Sequence, residues 1–219
     1  MKNTTLYACA LIIVGVAGLF SCQKSGSMIL VPASASSSKK AFLIDPYEAS
    51  LNGKNAASVT GRVPAVNIDF AEAKAACEAS GKRLCTHSEW KDACMGPELL
   101  KYSVQEDFIA DLSISEICDV ARPPEAGALP SNTGSKKDCA TRGLGVHDLV
   151  GNVTEWVVGE ASMPVAAGVS FYQSEEDSHC ESTLVRSGEK TMNPAEKSND
   201  LGFRCCAEPS NQKVPTFPF

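Results

Sequence analysis

Apolar residues run without a break from Leu6 to Phe20, with a single Lys2 ahead of them. The run is too short and too weakly flanked for a stable membrane span, and it has the shape of a secretory signal. Beyond it, apolar positions come in short groups. Phe42, Leu43 and Ile44 suit a brief strand that stops where Pro46 removes a backbone donor. PAVNI, residues 64–68, suits another. Asp69 stands three residues before Glu72, the spacing at which each side chain can satisfy the other's backbone N–H. That predicts a helix from Asp69 to about Ala79, stopped by Gly81, with Phe70, Ala73, Ala76 and Cys77 on its inner face. Thr86 and Glu89 repeat the spacing, and the second helix carries Trp90, Ala93 and Cys94 up to Gly96 and Pro97. From residue 97 to 145 the pattern weakens to one helical stretch near Pro97 to Asp111 and loops rich in Pro, Gly, Ser and Asn. LGFRCC, residues 201–206, is the last strand, and residues 208–219 read as a poorly ordered tail. Two helices, several short strands and long loops argue an α+β fold, and no Gly-rich phosphate loop supports a doubly wound sheet.

The apolar run closes on LFSC, with small Ser21 before Cys22, as bacterial lipoprotein signals do. Residues 1–21 are therefore read as a signal peptide and Cys22 as the lipid-accepting residue. An ordinary cleaved signal with an incidental Cys22, or a single anchor helix, are the alternatives. The Ser, Ala and Lys content of residues 22–40 suits a flexible tether, which leaves one domain at 41–207. The expected location is the bacterial cell envelope, at the periplasmic face or the cell surface, with the membrane engaged through the N-terminal lipid alone. The formal net charge is −6 with no basic cluster, so nucleic acid is not an expected partner.

Setting aside Cys9 and Cys22 leaves Cys77, Cys85, Cys94, Cys118, Cys139, Cys180, Cys205 and Cys206. An even number without close C-x-x-C pairs, in an exported chain, reads as a disulfide framework rather than a zinc site. Cys205 and Cys206 are neighbours, and adjacent strand residues point to opposite faces, so each needs a distant partner. Spacing alone cannot choose among the connectivities, which number on the order of a hundred.

FLIDPYEAS, PAVNIDFAEAKAACEASGKRLCTHSEW, GVHDLVGNVTEW and LGFRCC follow one another in an order and approximate spacing that resembles the formylglycine-generating enzyme, or sulfatase-modifying-factor, family. The resemblance covers nearly all of residues 41–206, and GKRLCTHSEW and DLVGNVTEW carry it most specifically. It implies a single, loop-rich, disulfide-braced C-type-lectin-like domain. In relatives with cysteines at these places, the first-helix cysteine pairs with that of the terminal GFRC and the second-helix cysteine with one in the preceding segment. Carried over, these are Cys77 with Cys205 and Cys94 with Cys180. The four that remain are then assigned as Cys118 with Cys139 and Cys85 with Cys206.

The resemblance also implies a calcium loop in DLVGNVTEW, with ligands Asp148, Gly151, Val153 and Glu155, two carboxylates and two backbone carbonyls of the hard kind calcium prefers. The competing reading is a turn in which Gly151 and Asn152 take unusual backbone angles and Glu155 caps something nearby. Either would hold a loop rather than run a reaction. NVT is also a glycosylation sequon by pattern. Catalytic relatives place two copper(I)-binding cysteines after an RGGSF or RGGSW strand. The counterpart here, AAGVSFYQSEEDSHC, keeps Ser170 and Phe171 but offers Cys180 alone, and Thr154 stands where the family has a tryptophan bordering the active site. Copper chemistry by the family's route is not expected, and Ser170 and Cys180 are the weak catalytic candidates. His87, His147 and His179 are scattered, and neither a zinc-protease helix nor a serine-hydrolase elbow is present. The leading expectation is a binding or scaffold module for a protein, a glycan or an envelope polymer. The alternative is a metal-dependent oxidoreductase or protein-modifying enzyme of the same family with a rearranged site, which would require unpaired thiols.

Overall fold

The computed structural model describes residues 27–33, 40–101, 103–104, 113–123, 128–183 and 192–209. The expected signal peptide, Cys22 and residues 210–219 of the tail lie outside the described residues. So do residues 102 and 105–111 of the helical stretch placed near Pro97 to Asp111, while its start, Pro97 to Leu99, forms turns.

Both capping-box helices form where expected. α1 (Phe70–Ala79) starts with the Asp69 carboxylate accepting from Glu72 N and the Glu72 carboxylate accepting from Asp69 N. α2 (His87–Met95) starts with the same exchange between Thr86 and Glu89, and Gly96 closes it at φ 62°. Ala73, Ala76 and Cys77 are buried along α1, and Trp90, Ala93 and Cys94 along α2. A third helix, α3 (Ile114–Ile117), is a single turn.

Three small sheets surround these helices. The first has the order β1 (Ile29–Val31), β2 (Phe42–Ile44), β9 (Cys205–Ala207), β5 (Arg83–Leu84), with every pairing antiparallel. The second is a hairpin of β3 (Ala49–Asn52) and β4 (Asn55–Ser58), turned by Gly53 and Lys54. The third is β7 (Pro164–Ala167), β6 (Thr154–Val158), β8 (Leu201–Phe203), with β6 and β8 parallel. β8 and β9 are consecutive, so the LGFRCC segment expected as one strand is two, and the chain changes sheets at Arg204.

Two expectations are corrected here. PAVNI is not a strand: Asn67 takes a left-handed φ of 54° and Pro64 has no N–H to donate. Ile29–Val31, placed by its neighbours' composition in the tether, is the edge strand of the first sheet, with Val31 buried and paired to Phe42. The apolar run MILV outweighs the Ser and Ala on either side of it.

The core falls into two apolar clusters, one around Trp90 and one around Trp156. β9 divides them. Cys205 lies in the Trp156 cluster and Cys206 in the Trp90 cluster, as opposite faces of one strand require. The disulfides are Cys77–Cys205 and Cys94–Cys180, the pairs that the resemblance implied, and Cys85–Cys206 and Cys118–Cys139, the pairs assigned from the four that remained. No helix among the described residues is long and apolar enough to cross a membrane.

Candidate functional site

Arg204 stands at the sheet change and is fully buried. Its Nε donates to both carboxylate oxygens of Glu155 at 2.9 and 2.8 Å, and its Nη2 donates to Glu155 Oε1 at 2.7 Å and to the His147 carbonyl at 2.8 Å. Trp90 Nε1 donates to Glu155 Oε2 at 3.0 Å. Beside this pair lies Glu48, which accepts from Asn152 Nδ2 at 2.6 Å and from Val153 N at 3.1 Å. Asp148 Oδ2 accepts from Gly134 N at 2.7 Å. The turn carrying these groups depends on positive φ at Asp148, Gly151 and Asn152, and a side chain at Gly151 would strike the Asp119 carbonyl at 2.5 Å.

This centre holds more negative than positive charge. Burial pushes the Glu48 carboxyl well up, and the nearby Asp148 and Glu155 charges push the same way. Burial likewise raises Asp148 to about 6, against the opposing pull of the Gly134 N–H and Arg204. Asp45, at the edge of the group, is also raised by burial, although Lys82 Nζ donates to it at 2.6 Å.

The calcium expectation meets this geometry directly. Glu155, expected as a ligand, accepts from Arg204 on both oxygens and from Trp90 on Oε2. Asp148 Oδ2 accepts from Gly134 N, Gly151 shapes the turn, and Val153 gives its N–H, not its carbonyl, to Glu48. Among the described residues no group of three or more His, Cys, Asp or Glu side chains is placed to hold a metal. The four residues share one turn. Asn152 of the sequon is buried and bonded to Glu48, which leaves no amide for a glycan.

The segment corresponding to the family's catalytic strand lies nearby. Cys180 is buried in its disulfide with Cys94, so it has no thiol to offer. Ser170 is also buried; its hydroxyl reaches Gln173 Oε1 at 2.5 Å and Asp200 Oδ2 at 2.9 Å, and Gln173 Oε1 also accepts from Ser170 N. Both weak candidates are thus absorbed into the frame. Thr154 is buried as the first residue of β6. His87, His147 and His179 are not brought together by the described contacts; His147 stacks on Tyr47 at 5.0 Å and His179 bonds within its own loop.

What these loops do present is a polar and aromatic face that the motifs did not point to. Arg122 lies 4.0 Å over the Phe171 ring, pairs with Asp119 and donates to the Leu129 carbonyl. Asn199 Nδ2 donates to the Ala128 carbonyl and the Tyr172 hydroxyl. Leu129 is 62% exposed, and Tyr172 and Arg122 are half-buried. Three separate stretches of chain supply these residues, so no local spacing could have found them.

A mixed frame of small sheets and two short helices, laced by four disulfides around long loops, is a C-type-lectin-like architecture. The chain belongs to the family described as sulfatase-modifying factor enzyme 1-like, whose domain model matches residues 32–209. It is 28% identical over 158 residues to the inactive C-alpha-formylglycine-generating enzyme 2 of Bos taurus, covering 66% of this chain and 50% of that protein. The chain therefore spans about half the length of that relative. The fold is also that of PvdO from Pseudomonas aeruginosa, at a TM-score of 0.56 and 15% identity over 84% of this chain and 92% of that one. Treponema denticola variable protein 1 superposes at a TM-score of 0.58 and 16% identity over 83% and 95%.

Proposed function

We propose that this chain is a lipid-anchored envelope protein whose sulfatase-modifying-factor-like domain binds a partner instead of oxidising a cysteine. One observation carries the reading: Cys180, the sole thiol near the position of the family's copper pair, is spent in a disulfide. The name of the bovine relative, an inactive member of the family, agrees with it. The candidate recognition face is the one built from Arg122, Leu129, Tyr172 and Asn199, where an exposed aliphatic group, an aromatic ring and a guanidinium stand on disulfide-braced loops. Aromatic and arginine side chains on rigid supports are the usual anchors of protein and glycan interfaces. The partner's class is a protein, a glycan or an envelope polymer.

The test is a thiol count joined to an activity assay on the exported protein. Alkylation without reduction should find all eight domain cysteines paired, and a cysteine-containing peptide incubated with the protein and copper(I) should keep its thiol mass. Two reactive thiols including Cys180, or conversion of the peptide to the aldehyde, would overturn the binding reading and favour the oxidoreductase.

A further inference from the structure

Forming β1 shortens the tether. A link of residues 22–40 could reach about 60 Å when extended, enough to let any side of the domain face the bilayer. With Ile29–Val31 paired to β2, only the residues from Cys22 to Ser27 remain, and their reach is at most about 22 Å. A domain of this size is about 40 Å across, so a lipid on Cys22 holds one end of the body against the membrane.

Which end follows from the register. Ile29 pairs with Ile44, so the chain enters where β2 leaves, beside Pro46 and Tyr47. Two loops are knotted together there. Gly61 N donates to the Thr133 carbonyl and Thr133 N to the Arg62 carbonyl, both at 2.8 Å. Gly134 lies so close to the Tyr47 ring that an added Cβ would stand 2.6 Å from it. These loops carry Arg62, Lys136 and Lys137, accompanied by Asp138 and by the adjoining Glu116, whose carbonyl accepts from Lys136 Nζ at 3.5 Å, and Val63, which is 49% exposed. Arg62 and Lys137 are exposed, and Lys136 is partly so. The exposed side chains of these loops are thus more basic than acidic, on a chain whose net charge is −6.

We infer that the Arg62–Val63 and Lys136–Lys137 loops form a docking surface for anionic lipid headgroups, so that the domain sits on the membrane with this end down and its opposite parts outward. The inference rests on the lipid-anchored reading. Short tether and local positive charge act in the same direction, since basic residues near an anionic leaflet are attracted over about one Debye length.

The experiment uses the full exported protein, purified in neutral detergent and reconstituted into vesicles in which one lipid in three is phosphatidylglycerol. Lysines are acetylated briefly and read by peptide mass spectrometry. Lys136 and Lys137 should react about fivefold more slowly in vesicles than in micelles. Lys54, at the tip of the β3–β4 hairpin that runs away from Tyr47, should be unchanged. Equal reactivity of Lys136 and Lys137 in both states, with the lipid mass present on the Cys22 peptide, would overturn the docking surface and leave the anchor standing. A Cys22 peptide without lipid would sink both.

Discussion

At the scale of single residues, the molecule is organised by how it answers Glu155. A carboxylate this deeply buried is tolerable only with charge-assisted partners, and Arg204 and Trp90 supply them. Glu48 and Asp148 are less well answered, and their acidity shows it. The sign of the resulting pH dependence is opposite to the usual carboxylate case. Asp148 is raised from 3.8 to about 6, so between those values the folded chain holds a proton that the unfolded chain has lost. Stability therefore falls as pH rises from about 4 to about 6, and the cost stays in place above. Asp148→Asn keeps an acceptor for the Gly134 N–H while deleting the charge. It should raise unfolding stability at pH 8 by about 1–3 kcal/mol, with the gain fading below pH 5, as read by urea denaturation across pH. A loss of stability at pH 8 would mean that the charge is used, most simply by a cation. Nothing in DLVGNVTEW by itself says that the charge is burdensome; that follows from the burial the rest of the fold imposes on Asp148, with Glu155 and Asp119 adding to it.

At the scale of elements, β9 carries the most bracing. Its two cysteines tie one strand to α1 on one face, through Cys77, and to Cys85 at the end of β5 on the other. The Cys77–Cys205 bridge spans 128 residues, but Cys85–Cys206 already closes nearly all of that loop. On the chain-entropy account the ring that Cys77–Cys205 adds is only about ten residues, worth about 3 kcal/mol. The double variant Cys77→Ala, Cys205→Ala should therefore cost about as much as Cys118→Ala, Cys139→Ala, which opens a loop of 21 residues. A far larger loss at Cys77–Cys205 in paired thermal melts would count against the entropic account. The helices were legible because their caps are local: Asp69 with Glu72 and Thr86 with Glu89 are three residues apart and bond as read. β6 was not, because TEWVV is buried on both faces and its meaning as a central strand comes from β7 and β8 on either side. The β3–β4 hairpin lies between: Gly53 at its turn is a local signal, but the alanines of its strands pack only once α1 covers them.

At the scale of the whole molecule, the metal question has a simple readout. Since Arg204 already neutralises Glu155, dialysis against a calcium chelator should move the thermal midpoint by less than about 2 °C, and millimolar calcium should not restore or raise it. A midpoint that climbs with calcium concentration would show that the turn opens to bind the ion. The family frame was readable because its motifs sit at the joints of the fold: GKRLCTHSEW spans β5 and the start of α2, DLVGNVTEW enters β6, and LGFRCC crosses between two sheets. The recognition face was not, since Arg122, Leu129, Tyr172 and Asn199 belong to loops brought together only by folding.

By itself the sequence determined the α+β class, the two capped helices, the disulfide framework and the absence of a second thiol beside Cys180. Each of these rests on residue chemistry or on spacings of a few positions. Tertiary structure alone decided that Ile29–Val31 is a strand, that Ser170 closes its own loop, and that Glu155 faces a guanidinium 49 residues away. The reason is physical: an edge strand needs a partner to pair with, and a buried charge takes its character from whatever distant groups the fold sets around it.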